Sequence, residues 1–171
     1  MKRNIVLVGV LAAMVCVATG FLHIPIVGGG YVHLGDTVIY LAAAMLPAPY
    51  AMAAAAVGAG LADLLVAPVW APFTVVIKAV MVLAFTAKNE RLLCRRNTLA
   101  PLIAGVIGVA GYYIAEVAIF WLSGGEFVAV SVAALAAVPF NALQELAGGV
   151  AFLLLAAALD RLEIRKRLKR M

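Results

Sequence analysis

Charge in this chain is gathered into clusters. Twelve of its thirteen lysines and arginines fall in three groups: Lys2 and Arg3; Lys88, Arg91, Arg95 and Arg96; and Arg161, Arg165, Lys166, Arg167, Lys169 and Arg170. Between the groups run long apolar segments in which Lys78 is the sole basic residue. Such segments fit a lipid bilayer, where helices satisfy their own backbone and flanking Lys and Arg mark the inner side. Composition agrees: 67% of residues are hydrophobic, 12% are charged and the mean hydropathy is +1.13. Soluble domains are about half apolar and about a quarter charged. A soluble enzyme and a disordered chain are therefore excluded, and 171 residues leave no room for an attached ATPase. The net charge of +5 reads as membrane topology, with no nucleic-acid partner.

Apolar runs and breakers define six spans, over residues 4–22, 34–46, 50–67, 72–87, 99–122 and 139–159. Pro139 is placed at the first helical position of the last span, where its missing N–H costs nothing. Residues 126–138 then form an interfacial or capping segment outside the membrane. The fold class is an all-α integral membrane protein, a six-transmembrane-helix bundle forming one domain over residues 1–171, with cytoplasmic N- and C-termini. An even number of spans puts all three basic clusters on the cytoplasmic side, and Trp70 and Trp121 at the outer interface. The first span also has the positive start and apolar run of a secretory leader, but its length and the charge layout favour a retained span. Cys16 and Cys94 are expected to stay reduced.

Ionisable residues inside spans cost about 2.5–3.5 kcal/mol each on insertion scales, so each is a functional candidate. They are Asp36, Asp63, Lys78, Glu116 and Glu145. By helical rise, Asp36, Asp63, Lys78 and Glu116 lie within roughly 10 Å of the outer boundary. Asn141 and Gln144 share a face in the first turns of the last span. Thr74 stands one turn before Lys78, and Tyr112 one turn before Glu116. These residues predict an outward polar layer, with Lys78 neutralising Asp63 or Asp36. Tyr112 is open between site and packing. The segment from Pro25 to Asp36, with Gly28, Gly29 and Gly30, reads either as a mobile lid over that layer or as an ordinary hairpin turn. Small residues four apart, Ala54 with Gly58 and Gly9 with Ala13, permit close helix approach for internal packing or for partner docking. His23 and His33 lack a third strong ligand, so no metal is expected, and no phosphate loop, HExxH or GxSxG motif is present.

Four stretches carry a resemblance: Gly30-Tyr31-Val32-His33-Leu34-Gly35-Asp36, Gly60-Leu61-Ala62-Asp63-Leu64-Leu65, Ala71-Pro72-Phe73-Thr74-Val75-Val76-Ile77-Lys78 and Pro139-Phe140-Asn141-Ala142-Leu143-Gln144. In their order and spacing the chain resembles a substrate-binding S component of an energy-coupling factor (ECF) vitamin transporter, and is most similar to the ECF-type riboflavin transporter S component family. The resemblance implies a multi-pass protein of a bacterial cell membrane that binds a vitamin or related micronutrient in an outward pocket. It further implies docking on an energy-coupling module, a transmembrane coupling protein plus two ATPases, whose ATP hydrolysis drives release inside. No cofactor and no catalysis are implied. Substrate contact is expected among His33, Asp36, Tyr40, Asp63, Thr74, Lys78, Glu116, Asn141 and Gln144. The nearest equivalent of the family's Ala-xxx-Ala docking pair is Gly9 and Ala13. Lys2 stands where nickel and cobalt members carry His. A small intramembrane enzyme or a channel-like bundle is the competing class: the first needs a nucleophile or metal beside a base, the second polar residues through the full depth.

Overall fold

The structure, a computed structural model, describes residues 2–25, 31–165 and 167. It is helical apart from one two-stranded ribbon. Helix α1 (Lys2–Gly20) leads into strands β1 (His23–Pro25) and β2 (Tyr31–His33), followed by α2 (Gly35–Met45), α3 (Ala48–Val66), α4 (Ala71–Met81), α5 (Arg95–Leu122), α6 (Phe127–Ala134) and α7 (Val138–Arg161).

The helices close a ring. Helix α1 packs on α3, α3 on α4, α4 on α5, α5 on α7, α7 on α2, and α2 back on α1. Nine of the eleven residues of α2 are buried, which makes it the most enclosed element of the bundle. The small residues of α3 serve internal packing. Ala54, Ala55 and Ala59 are buried, and a side chain at Gly58 would collide with the Ala12 carbonyl and Val15 of α1. Backbones at that crossing approach as closely as glycine allows. Gly9 and Ala13 lie on the outward face of α1, with open space around Gly9.

Helix starts are fixed by proline. Pro49, Pro72 and Pro139 fall in the first two positions of α3, α4 and α7, where no intrahelical partner is lost. Pro139 is the second residue of α7, after Val138, rather than the first.

One expected span is shorter than its apolar run, and two linking segments take a definite form. The fourth span ends early: α4 passes into a 3₁₀ turn (Val82–Ala84) and stops. Side chains from α5 take the carbonyls that a longer helix would have used. Arg96 donates to Leu83 O (2.6 Å) and Ala84 O (2.8 Å), and Asn97 Nδ2 to Thr86 O (2.9 Å). The segment over residues 126–138 is helical. The Glu126 carboxylate caps α6 by accepting from Val128 N and Ala129 N, and a 3₁₀ turn (Leu135–Ala137) carries the chain into α7. The link between the first two helices is an antiparallel ribbon pairing His23 with His33, Ile24 with Val32 and Pro25 with Tyr31. The triple glycine expected to loosen that link falls at 28–30, outside the described residues.

Three helical runs are long and apolar enough to cross a membrane, Ala48–Val66, Arg95–Leu122 and Phe127–Arg161, while Asn4–Gly20, Gly35–Met45 and Pro68–Ala84 are apolar but shorter.

Candidate functional site

Lys78 is the one basic residue on an apolar helix face, and a buried ammonium needs compensating charge and acceptors. The ring supplies them from two helices. Lys78 Nζ lies 2.5 Å from Asp36 Oδ1 on α2 and 3.4 Å from Glu145 Oε1 on α7. The second Asp36 oxygen accepts from Gln144 Nε2 at 2.8 Å, and the second Glu145 oxygen accepts from the Tyr40 hydroxyl. Nζ also stands 5.2 Å from the centre of the Tyr112 ring, close enough for a cation–π attraction. The Tyr112 hydroxyl pairs with Thr74 Oγ1 at 3.2 Å. Asp36, Tyr40, Thr74, Lys78, Gln144 and Glu145 are all buried. One cation thus faces two carboxylates, and all four carboxylate oxygens have a donor.

Gln144 joins this cluster to the ribbon. Its Oε1 accepts from the His33 backbone N–H at 2.7 Å, and its Nε2 donates to the His33 carbonyl at 2.8 Å. The side-chain amide therefore pairs with the end of β2 as a neighbouring strand would. His33 Nδ1 accepts from the Gly35 N–H at 3.1 Å. Burial, and behind it the nearby Lys78 and His23, pushes the imidazole pKa down to about 4, against a smaller upward pull from Asp36. The ring is consequently neutral and able to accept at Nδ1. Gly35 is required there: a side chain would overlap Thr19 Oγ1 and crowd His33 Nδ1.

Below the cluster lies an aromatic floor. Tyr40 stacks on Phe85 with ring centres 4.9 Å apart, and Phe152 meets both edge-on, 6.1 Å from Tyr40 and 5.4 Å from Phe85. Beneath the floor a second polar network ties off the basic end. Asp160 accepts from the backbone N–H of Leu92 (2.7 Å) and Leu93 (2.9 Å), Asn97 spans Thr86 and Leu92, and Arg165 donates to the Ala44 and Ala87 carbonyls. Apolar packing separates the two polar regions, so no continuous polar path runs through the described bundle.

Of the residues expected to contact substrate, His33, Asp36, Tyr40, Lys78 and Gln144 share one hydrogen-bonded cluster, and Thr74 joins it through Tyr112. The partner of Lys78 is Asp36 rather than Asp63. Asp63 is buried near the end of α3, within electrostatic reach of Tyr112. Asn141 lies one turn before Gln144 on α7, and Glu116 one turn beyond Tyr112 on α5. Both are partly exposed and neither makes a hydrogen bond to a described residue. Glu145, which the sequence places inside a span but not in the outward layer, is a direct partner of Lys78. Its neighbour on α5 is Gly108, where a side chain would strike the Glu145 carboxylate.

A ring of apolar helices enclosing one buried polar cluster under a ribbon is the architecture of an integral membrane protein. The comparisons place it. The family model for the S component of the ECF-type riboflavin transporter matches residues 1–161, and the chain belongs to that family. It is accordingly the substrate-binding S component of an ECF-type importer: a multi-pass membrane protein, not an enzyme, that takes up a vitamin-like substrate and docks with the energy-coupling module. The fold is similar to that of a solved S component of a bacterial ECF transporter, at 21% sequence identity, with 94% of this chain and 97% of that chain covered and a TM-score of 0.73. No curated protein matches the chain in sequence.

Proposed function

We propose that the chain crosses the membrane six times as one domain over residues 1–171, with both termini and the basic 88–96 loop in the cytoplasm. Helix α7 is the sixth crossing in this reading, and α6 is the interfacial segment before it. The support is the arrangement of charge: the ribbon end carries the carboxylate–lysine cluster, and the opposite end carries the basic residues.

In this reading the ligand, riboflavin or a related vitamin, enters from the ribbon side and rests above the Asp36–Lys78–Glu145 cluster. The observation that carries the proposal is the closed base of that cluster, sealed by Tyr40, Phe85 and Phe152 and tied to the ribbon by Gln144. The roles divide by exposure. Asp36, Tyr40, Lys78, Gln144, His33 and Glu145 already satisfy one another and set the shape and charge of the pocket base. Asn141 and Glu116, both partly exposed, supply the first contacts to ligand, with buried Asp63 and the Thr74–Tyr112 pair lining the wall behind them. A few placed polar groups on an otherwise apolar wall are what a small-molecule site requires. Gly9 and Ala13, outward on α1, are the proposed docking face for the coupling protein, whose backbone such small residues let approach.

The test is mass spectrometry of small molecules released from the purified protein, together with a binding panel of water-soluble vitamins. One vitamin enriched in stoichiometric amount is expected. No enriched molecule and no binding across the panel would overturn the assignment.

A further inference from the structure

We propose that the groove between α5 and α7 holds one acyl chain of an anionic phospholipid, with the lipid headgroup on Arg95 and Arg161. The groove has a volume of about 400 Å³ and runs from Thr98 to Val109 along α5 and from Ala142 to Leu153 along α7. Each stretch is about 16 Å long by helical rise. That is the depth of one leaflet, half of a hydrocarbon core about 30 Å thick. Leu102 and Val106 on one lip and Leu146 and Val150 on the other are exposed apolar side chains. The bottom is closed, because α5 and α7 touch where Gly105 faces the Glu145 stem and Gly149 faces Pro101. The groove's volume and length suit a single extended chain lying along the helices. Left empty, its walls would forfeit their dispersion contacts.

Charge selects the headgroup. Arg95 precedes Thr98 by one turn on the groove-lining stripe of α5, and Arg161 ends α7 two turns beyond Leu153. Neighbouring arginines are committed: Arg96 to the Leu83 and Ala84 carbonyls, Arg165 to those of Ala44 and Ala87. The carboxylate of Asp160 is turned to the Leu92 and Leu93 amides. Arg95 and Arg161 are exposed and make no hydrogen bond or ion pair with any described residue. Two uncommitted guanidinium groups at one end of a leaflet-deep apolar groove are complementary to a phosphodiester headgroup above its own acyl chain.

The test is native mass spectrometry of the full chain in detergent, after incubation with equal amounts of phosphatidylglycerol and phosphatidylcholine of matched chains. One phosphatidylglycerol is expected to survive detergent stripping in preference to phosphatidylcholine. Arg95→Gln should reduce that preference about fivefold, the effect of one basic residue at a lipid surface. Val106→Trp, which fills the groove from its exposed lip, should abolish retention of either lipid. Leu65→Trp, at an exposed position on α3, should leave it intact. Equal retention of both lipids, an Arg95→Gln variant with undiminished preference, or Val106→Trp behaving like Leu65→Trp would each overturn the proposal.

Discussion

Lys78 stands between two carboxylates, and removing it is not equivalent to removing either of them. Lys78→Met leaves Asp36 and Glu145 buried without their cation, which should cost about 3–5 kcal/mol and lower the thermal midpoint in detergent. Adding Asp36→Asn should recover part of that loss, because the uncompensated charge goes with it. A double variant no more stable than the single one would contradict the pairing. Tyr40→Phe removes the donor to the second Glu145 oxygen and should cost about 1–3 kcal/mol by the same assay. Much of this was legible in the sequence. A lone lysine in an apolar run demands an anion, and Asp36 was one of two named. Glu145 was the omission. The signal was available, since it follows Gln144 directly and carries a charge that an apolar span does not tolerate alone. What the sequence does not show is that the ring brings Glu145 of α7 to Lys78 of α4.

At the scale of elements, the ribbon and the basic loop are each held by one amide side chain. Gln144 holds β2 through the backbone of His33, and the neutral His33 ring receives the Gly35 N–H. The sign of the pH effect follows. His33 has its pKa lowered from the ordinary 6.5 to about 4 in the folded protein, so between those values the unfolded chain binds the proton more readily. Stability should be constant above pH 6.5 with respect to this group and fall as pH drops toward about 4. His33→Gln, which keeps the backbone pairing with Gln144, should flatten that part of the curve of thermal midpoint against pH. At the other end, Asn97 makes three hydrogen bonds that fold the loop after α4. Asn97→Ala should cost about 2–3 kcal/mol and speed hydrogen exchange at the Thr86 N–H, which donates to Asn97 Oδ1. The sequence marks a hairpin turn as one reading of the first link and a basic loop at 88–96, without the contacts that hold either. Three-residue strands are too short to show an alternating pattern, and Asn97 in a basic loop reads as solvent-facing until the Thr86 and Leu92 carbonyls are folded over it.

For the whole molecule, charge layout and apolar runs carried the reading furthest. They gave the helical class and the approximate order of the helices, because a bilayer punishes misplaced charge by several kcal/mol per residue. The quoted motifs gave the family, now supported by a match over residues 1–161. The aromatic floor of Tyr40, Phe85 and Phe152 was not foreseen: three apolar rings in three apolar segments look like ordinary filling until packing joins them. In the proposed reading that floor closes the base of the pocket, and ligand contact falls to the groups left partly open above it. The most direct measurement is a pair of binding isotherms for the vitamin identified in the panel, on the purified wild type and on Asn141→Ala, with thermal midpoints recorded alongside. Stoichiometric binding by the wild type, weakened at least about tenfold in the variant with an unchanged midpoint, is the predicted result. Undiminished binding by Asn141→Ala, or no vitamin bound by the wild type, would contradict a ligand site above this cluster.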